Sequence, residues 1–154
     1  MSMPRIPGVL VRDLVVHPDD RGRLFEVLRN DDPHFRKFGQ AYITPTYPGV
    51  VKAWHRHRLQ EDCFCVLKGM VKLAIHDDRA ESPTCGVTDE VWFGEHRLRL
   101  VVIPAGLWHG WTCVSETEAM ILNLVTEPYN HETPDEERVA PHGVLPYDWA
   151  RRDG

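Results

Sequence analysis

Twelve prolines and eleven glycines cut this 154-residue chain into short pieces, and that punctuation limits its fold more than any other feature. Proline in a helix interior or central strand loses a backbone hydrogen bond, so long elements are excluded. Between the breaks lie runs such as Arg23–Leu28, Gln40–Ile43, Val50–Trp54, Asp62–Leu67, Met70–Ile75, Leu98–Ile103 and Ala119–Val125. They are short and rich in β-branched and aromatic residues, so they read as strands. Their close recurrence predicts an all-β sandwich or barrel. Asp32–Lys37 has room for one helical turn, and Glu132–Glu137 is a second helix candidate. From Thr126 onward apolar periodicity fades, so residues 126–154 are expected to wrap the barrel.

Hydrophobic residues at 42% and charged residues at 27% fit one globular domain spanning residues 1–154. The net charge of −5, with no basic cluster, argues against nucleic acid. No apolar run reaches membrane length. The opening Met1-Ser2-Met3-Pro4-Arg5 lacks a signal-peptide pattern, so the expected location is the cytoplasm. Cys63 and Cys65, two apart, share a strand face and read as reduced core residues.

The chemistry-bearing stretch runs from Gly49 to Glu61. His55 and His57 face the same way on a strand, Glu61 follows, and Pro104-x-Gly106-x-x-His109 offers a third imidazole. Three imidazoles and one carboxylate suit zinc, nickel, iron or manganese, which makes His55, His57, Glu61 and His109 the metal candidates. Trp54 and Trp108 flank this set as core-filling or substrate-stacking residues. His76, His96, His131 and His142 read as surface residues, and Asp135-Glu136-Glu137 as a solvated run.

Gly49, His55-x-His57, Glu61 and Gly69, followed by Pro104-x-Gly106-x-x-His109, resemble the two cupin motifs. The Glu61-to-Gly69 gap is one residue longer than usual, and Cys113 stands where the second motif often has Asn. The resemblance implies a cupin-type double-stranded β-helix, or jelly-roll, barrel with short terminal extensions. Asp19-x-Arg21-Gly22-x-x-x-Glu26, Ser82-Pro83-Thr84, Tyr129 and the Pro146-Tyr147-Asp148-Trp149 tail further resemble the dTDP-4-dehydrorhamnose 3,5-epimerase family. That likeness spans nearly the whole chain.

It implies proton abstraction next to the ketone of a 4-keto-6-deoxy sugar nucleotide. His55 would be the base and Tyr129 the acid on the opposite face, with no cofactor. It also implies Arg21, Glu26 and Lys52 as further substrate-binding groups, and a homodimer with residues 1–30 at its interface. Three positions depart from the family pattern. Lys52 replaces an Arg, Asp62 replaces the enolate-stabilising Lys, and the C-terminal Asp that orients the base is missing. The His-x-His pair with a following carboxylate also resembles the sugar 3,4-ketoisomerases. Two other readings stand beside the epimerase: a metal-dependent cupin dioxygenase or lyase acting on a small organic substrate, and a non-catalytic sugar-nucleotide-binding cupin.

Overall fold

The computed structural model describes residues 4–154; Met1, Ser2 and Met3 of the opening read above lie outside them. Twelve strands run in order: β1 Leu10–Asp13, β2 Val16–Asp19, β3 Gly22–Phe25, β4 Gln40–Thr46, β5 Val51–Arg56, β6 Asp62–Lys68, β7 Met70–His76, β8 Thr88–Gly94, β9 Arg99–Ile103, β10 Trp108–Cys113, β11 Ala119–Val125 and β12 Glu137–Arg138. Two five-stranded antiparallel sheets face each other, ordered β1-β9-β6-β11-β4 and β12-β5-β10-β7-β8, while β2 and β3 form a separate hairpin. This is the expected barrel. Among the described residues there is no helix: Asp32–Phe35 makes a single turn, and Glu137 enters a short strand instead of a helix.

The interior follows from strand alternation. Phe64 and Val66 of β6, Leu73 and Ile75 of β7, Phe93 of β8, Val101 and Ile103 of β9 and Ile121 of β11 form one buried cluster. Cys63 and Cys65 point the other way; both are buried and free, and Cys63 packs with Leu100 and Val102. At one end of the interior the apolar lining gives way to polar residues, and the candidate site lies there.

A register shift makes that end possible. In the β5–β10 pairing His55 opposes His109, yet Lys52 opposes Trp111, so β5 carries one extra residue. Such a bulge re-aims side chains. Lys52 and His55, three apart in sequence, thereby serve the same face. Gly110 sits across from the bulge; a Cβ there would lie 2.3 Å from the Ala53 Cβ. Only glycine permits that approach.

The end of the C-terminal segment packs over the outer face of the β5 sheet. Trp149 and Tyr147 pack on Trp54 at ring-centroid distances of 5.0 and 5.6 Å. The Tyr147 hydroxyl and the Arg152 guanidinium both donate to Glu90 on β8. No helix of the described chain is long and apolar enough to cross a membrane.

Candidate functional site

The site is assembled around Asp62, the first residue of β6. Its carboxylate is buried and fully engaged. Oδ1 accepts the Gln60 amide at 2.8 Å and the Asn123 amide at 2.9 Å. Oδ2 lies 3.3 Å from His57 Nε2 and 3.2 Å from His109 Nε2. Burial alone raises the Asp62 pKa, but hydrogen bonding and charge from His109, with His57 and Asn123, outweigh it and bring the carboxyl down to about 2.

Both imidazoles have their orientation fixed from behind. His109 Nδ1 donates to the Leu107 carbonyl at 3.1 Å, and His57 Nδ1 donates to the Asp135 carbonyl at 2.5 Å. A carbonyl only accepts, so each Nδ1 carries a proton. The Nε2 atoms turned to Asp62 therefore hold lone pairs unless the rings are charged. Three acceptor atoms thus converge within 4.8 Å of one another, and the Gln60 amide nitrogen lies 3.4 Å from His57 Nε2.

The acidic run read as solvated is instead the clamp of this site. The Asp135 carboxylate accepts the backbone N–H groups of Arg58, Leu59 and Gln60 at 2.8, 2.9 and 2.9 Å. Burial opposes its ionisation, yet these three donors hold its carboxyl below the usual range. Glu137 pairs with Arg56 and Arg58. These contacts tie the C-terminal segment to the loop after β5 and so fix His57.

His55 faces the same interior from the bulged strand, its ring 6.0 Å from that of His109 and 5.8 Å from that of Trp111. Burial and the nearby charges of His109, Arg138 and His57 lower its pKa to about 4, against the pull of Glu136. At neutral pH it is a neutral imidazole with a free lone pair. Among the described residues no carboxylate hydrogen-bonds to it. Asp148 in the C-terminal tail accepts the Ala150 backbone N–H instead.

A cavity of about 300 Å³ opens beside the cluster, lined by Tyr42, His57, Gln60, Tyr129, Glu136 and Arg138 among others. Of His55, His57 and His109, only His57 lines this cavity, and larger hollows of about 520 Å³ near Trp92 and about 770 Å³ near Lys72 hold none of the three. Tyr129 stands at the rim on the loop after β11, its backbone N–H held by Gln40 Oε1 at 2.9 Å. Lys52 Nζ donates to Thr44 Oγ1 and the Pro45 carbonyl.

Other expected residues lie elsewhere. Trp54 and Trp108 belong to the outer aromatic cluster under the tail, because they alternate with His55 and His109 and face outward. The structure thus corrects their reading as substrate-stacking groups; Trp108 donates to Asp78 and carries Arg56 over its ring. Glu61 is outside the cluster: His57, Asp62 and His109 are the side chains close enough to share an ion among the described residues, so His55 and Glu61 drop from the metal set. Burial raises the Glu61 pKa, while its N–H donates to Thr126 Oγ1. His76 is buried and bonded to Thr88, not a surface residue. Arg21 is paired with Asp19 on the exposed hairpin, and Glu26, just beyond β3, with Arg29; neither lines the cavity.

Sequence reasoning missed Asp62 as a site centre, together with Gln60, Asn123, Tyr42 and Asp135. For Asp62 the signal was present: counted back from Gly69, it sits where a cupin-motif carboxylate normally falls, and Glu61 sits one residue too early.

Comparison with known proteins agrees with this architecture. The chain is 43% identical over 148 residues to the probable low-salt glycan biosynthesis epimerase Agl13 of Haloferax volcanii, covering 95% of this chain and 91% of that protein. It is 40% identical to the spore coat polysaccharide biosynthesis protein SpsL of Bacillus subtilis, covering 87% and 89%. The crystal structure of a dTDP sugar isomerase from Desulfovibrio desulfuricans superposes with a TM-score of 0.89 at 31% identity, covering 96% and 94%. The model of the dTDP-4-dehydrorhamnose 3,5-epimerase family matches residues 4–145, and the chain belongs to that family of cupin-fold sugar-nucleotide epimerases.

Proposed function

We propose that this chain epimerises or isomerises a nucleotide-linked 4-keto-6-deoxy sugar by removing a proton from carbon next to the ketone. One observation carries the reading: His55 is a neutral imidazole set into the barrel interior, in a chain belonging to an epimerase family. His55 takes the proton, and the C–H electrons move through carbon to the ketone oxygen, forming an enolate. Tyr129 returns a proton to the opposite face, and solvent reprotonates the phenolate while His55 releases its proton. Delivery to the opposite face inverts the centre. The test is solvent-deuterium exchange, and Tyr129→Phe is expected to slow it by at least about tenfold, as loss of a positioned acid does. A smaller effect removes Tyr129 from the acid role.

The hairpin bearing Arg21 supports a homodimer. Leu24 on it and Val15 just before it are 61% and 68% exposed, an apolar surface that a second copy would cover. In that arrangement Arg21 and Glu26 reach the nucleotide end of the partner's site, which lies in the cytoplasm with the rest of the enzyme. Sedimentation velocity is expected to give the mass of two chains; a monomer with full activity would contradict it.

A second reading is a metal-dependent cupin of another reaction class, and the three converging acceptors favour it. Their separations of 3.2 and 3.3 Å suit a tetrahedral ion, whose ligands at about 2.0–2.1 Å stand roughly 3.3 Å apart. His57, Asp62 and His109 would hold it, and it would supply Lewis-acid chemistry. The epimerase reading predicts exchange activity that survives chelation of untagged protein. One equivalent of transition metal, lost together with activity on chelation, moves the assignment to the second reading.

A further inference from the structure

The epimerase reading leaves one requirement without a residue. Removing a proton next to a ketone puts negative charge on the ketone oxygen, and a positioned donor must receive it. The family resemblance implies a Lys where this chain has Asp62. The Asp62 carboxylate is itself occupied by Gln60, Asn123, His57 and His109, so it offers the substrate no donor. The donor has to come from another wall of the cavity.

Strand β4 provides that wall. It pairs with β11 so that Tyr42 opposes Asn123. Gln40, Tyr42, Thr44 and Thr46 alternate on its inner face, where Thr44 holds Lys52 and Thr46 holds the Trp111 indole N–H. Tyr42 lines the cavity beside His57 and Gln60.

The direction of its hydrogen bond follows from its neighbour. Asn123 Oδ1 accepts the Cys63 backbone N–H at 3.1 Å, which turns the amide nitrogen the other way. Asn123 Nδ2 then donates to Asp62 Oδ1 at 2.9 Å and to the Tyr42 hydroxyl oxygen at 2.8 Å. The phenol oxygen is an acceptor in this pair, so its own hydrogen is free to point elsewhere. Among the described residues no acceptor bonds to that hydrogen. An amide donating to the phenol oxygen also polarises the O–H bond.

We infer that Tyr42 is a catalytic residue whose hydroxyl donates to the substrate's ketone oxygen as that oxygen becomes an enolate. The inference rests on the epimerase reading and deepens it. Burial and the Asp62 charge push the Tyr42 phenol up to about 12. It therefore keeps its proton and serves as a fixed donor. Tyr129, half-exposed at the rim, keeps the separate task of protonating carbon.

The experiment compares parent and Tyr42→Phe in solvent-deuterium exchange on dTDP-4-keto-6-deoxyglucose, with dTDP affinity and melting temperature measured alongside. Loss of one oxyanion donor is expected to lower kcat by about 10²–10³-fold. KM, dTDP affinity and melting temperature are expected to stay near parental values, because the lost contact forms only as charge develops. A second variant, 3-fluorotyrosine at position 42, keeps the ring and acidifies the phenol; a purely structural Tyr42 predicts no change in kcat, whereas a donor predicts a shifted one. If the parent exchanges and Tyr42→Phe retains kcat within about threefold, the inference is overturned and the epimerase reading stands. If the parent itself does not exchange, both fall together.

Discussion

Replacing His55 with asparagine is expected to slow exchange of the proton next to the ketone by about 10²–10⁴-fold, the usual worth of a positioned general base. The argument begins with the bulge in β5, which turns His55 inward opposite His109. Burial, helped by the nearby Arg138 charge, then keeps the ring neutral, and a neutral ring can accept a proton. Asparagine preserves size and polarity without offering a base. The melting temperature should stay close to the parent's, since no carboxylate pair is broken. Rapid exchange by His55→Asn would remove His55 from the base role.

The largest stability effect belongs to Asp62. Asp62→Ala leaves two inward-facing imidazoles and two amides without their shared acceptor. Removing one partner of a buried charged cluster costs about 3–5 kcal/mol. For a domain of this size that corresponds to a fall in melting temperature of roughly 6–20 °C. Asp62→Asn keeps the shape and is expected to lose less. Calorimetry on both variants checks this; an Asp62→Ala protein melting within about 2 °C of the parent would show that the cluster is not held by its carboxylate.

Much of the fold was legible because strand alternation and proline punctuation are local signals. Residues 62–67, 70–75 and 119–125 read as strands and lie within β6, β7 and β11. The tail, whose sequence lacks apolar periodicity, packs by scattered aromatics such as Trp149. What failed was non-local. Trp54 and Trp108 adjoin histidines in sequence, but adjacency on a strand means opposite faces. The bulge that joins Lys52 to the His55 face comes from pairing with β10, which the β5 sequence does not display. Asp135 looked like one member of a surface charge run; only the fold brings it to the N–H groups of residues 58–60, some 75 positions away. Tyr42 carried no motif, and its role depends on which way Asn123 points.

The site illustrates how one substitution changes its surroundings. Read alone, Asp62, where the family resemblance implies a lysine, puts an anion where an oxyanion would form. In the fold that anion is enclosed by two imidazoles and two amides, so its charge is answered inside the barrel wall. The cavity then faces Tyr42, His57 and Gln60 instead of a bare carboxylate.

The central claim is proton transfer at carbon, and it is tested most directly by incubating the untagged protein with dTDP-4-keto-6-deoxyglucose in deuterated water. Mass spectrometry and proton NMR then read deuterium at the carbons flanking the ketone, C3 and C5. The account predicts incorporation at one or both, insensitive to chelator and abolished in His55→Asn. A protein that binds dTDP yet leaves both carbons free of deuterium would contradict it.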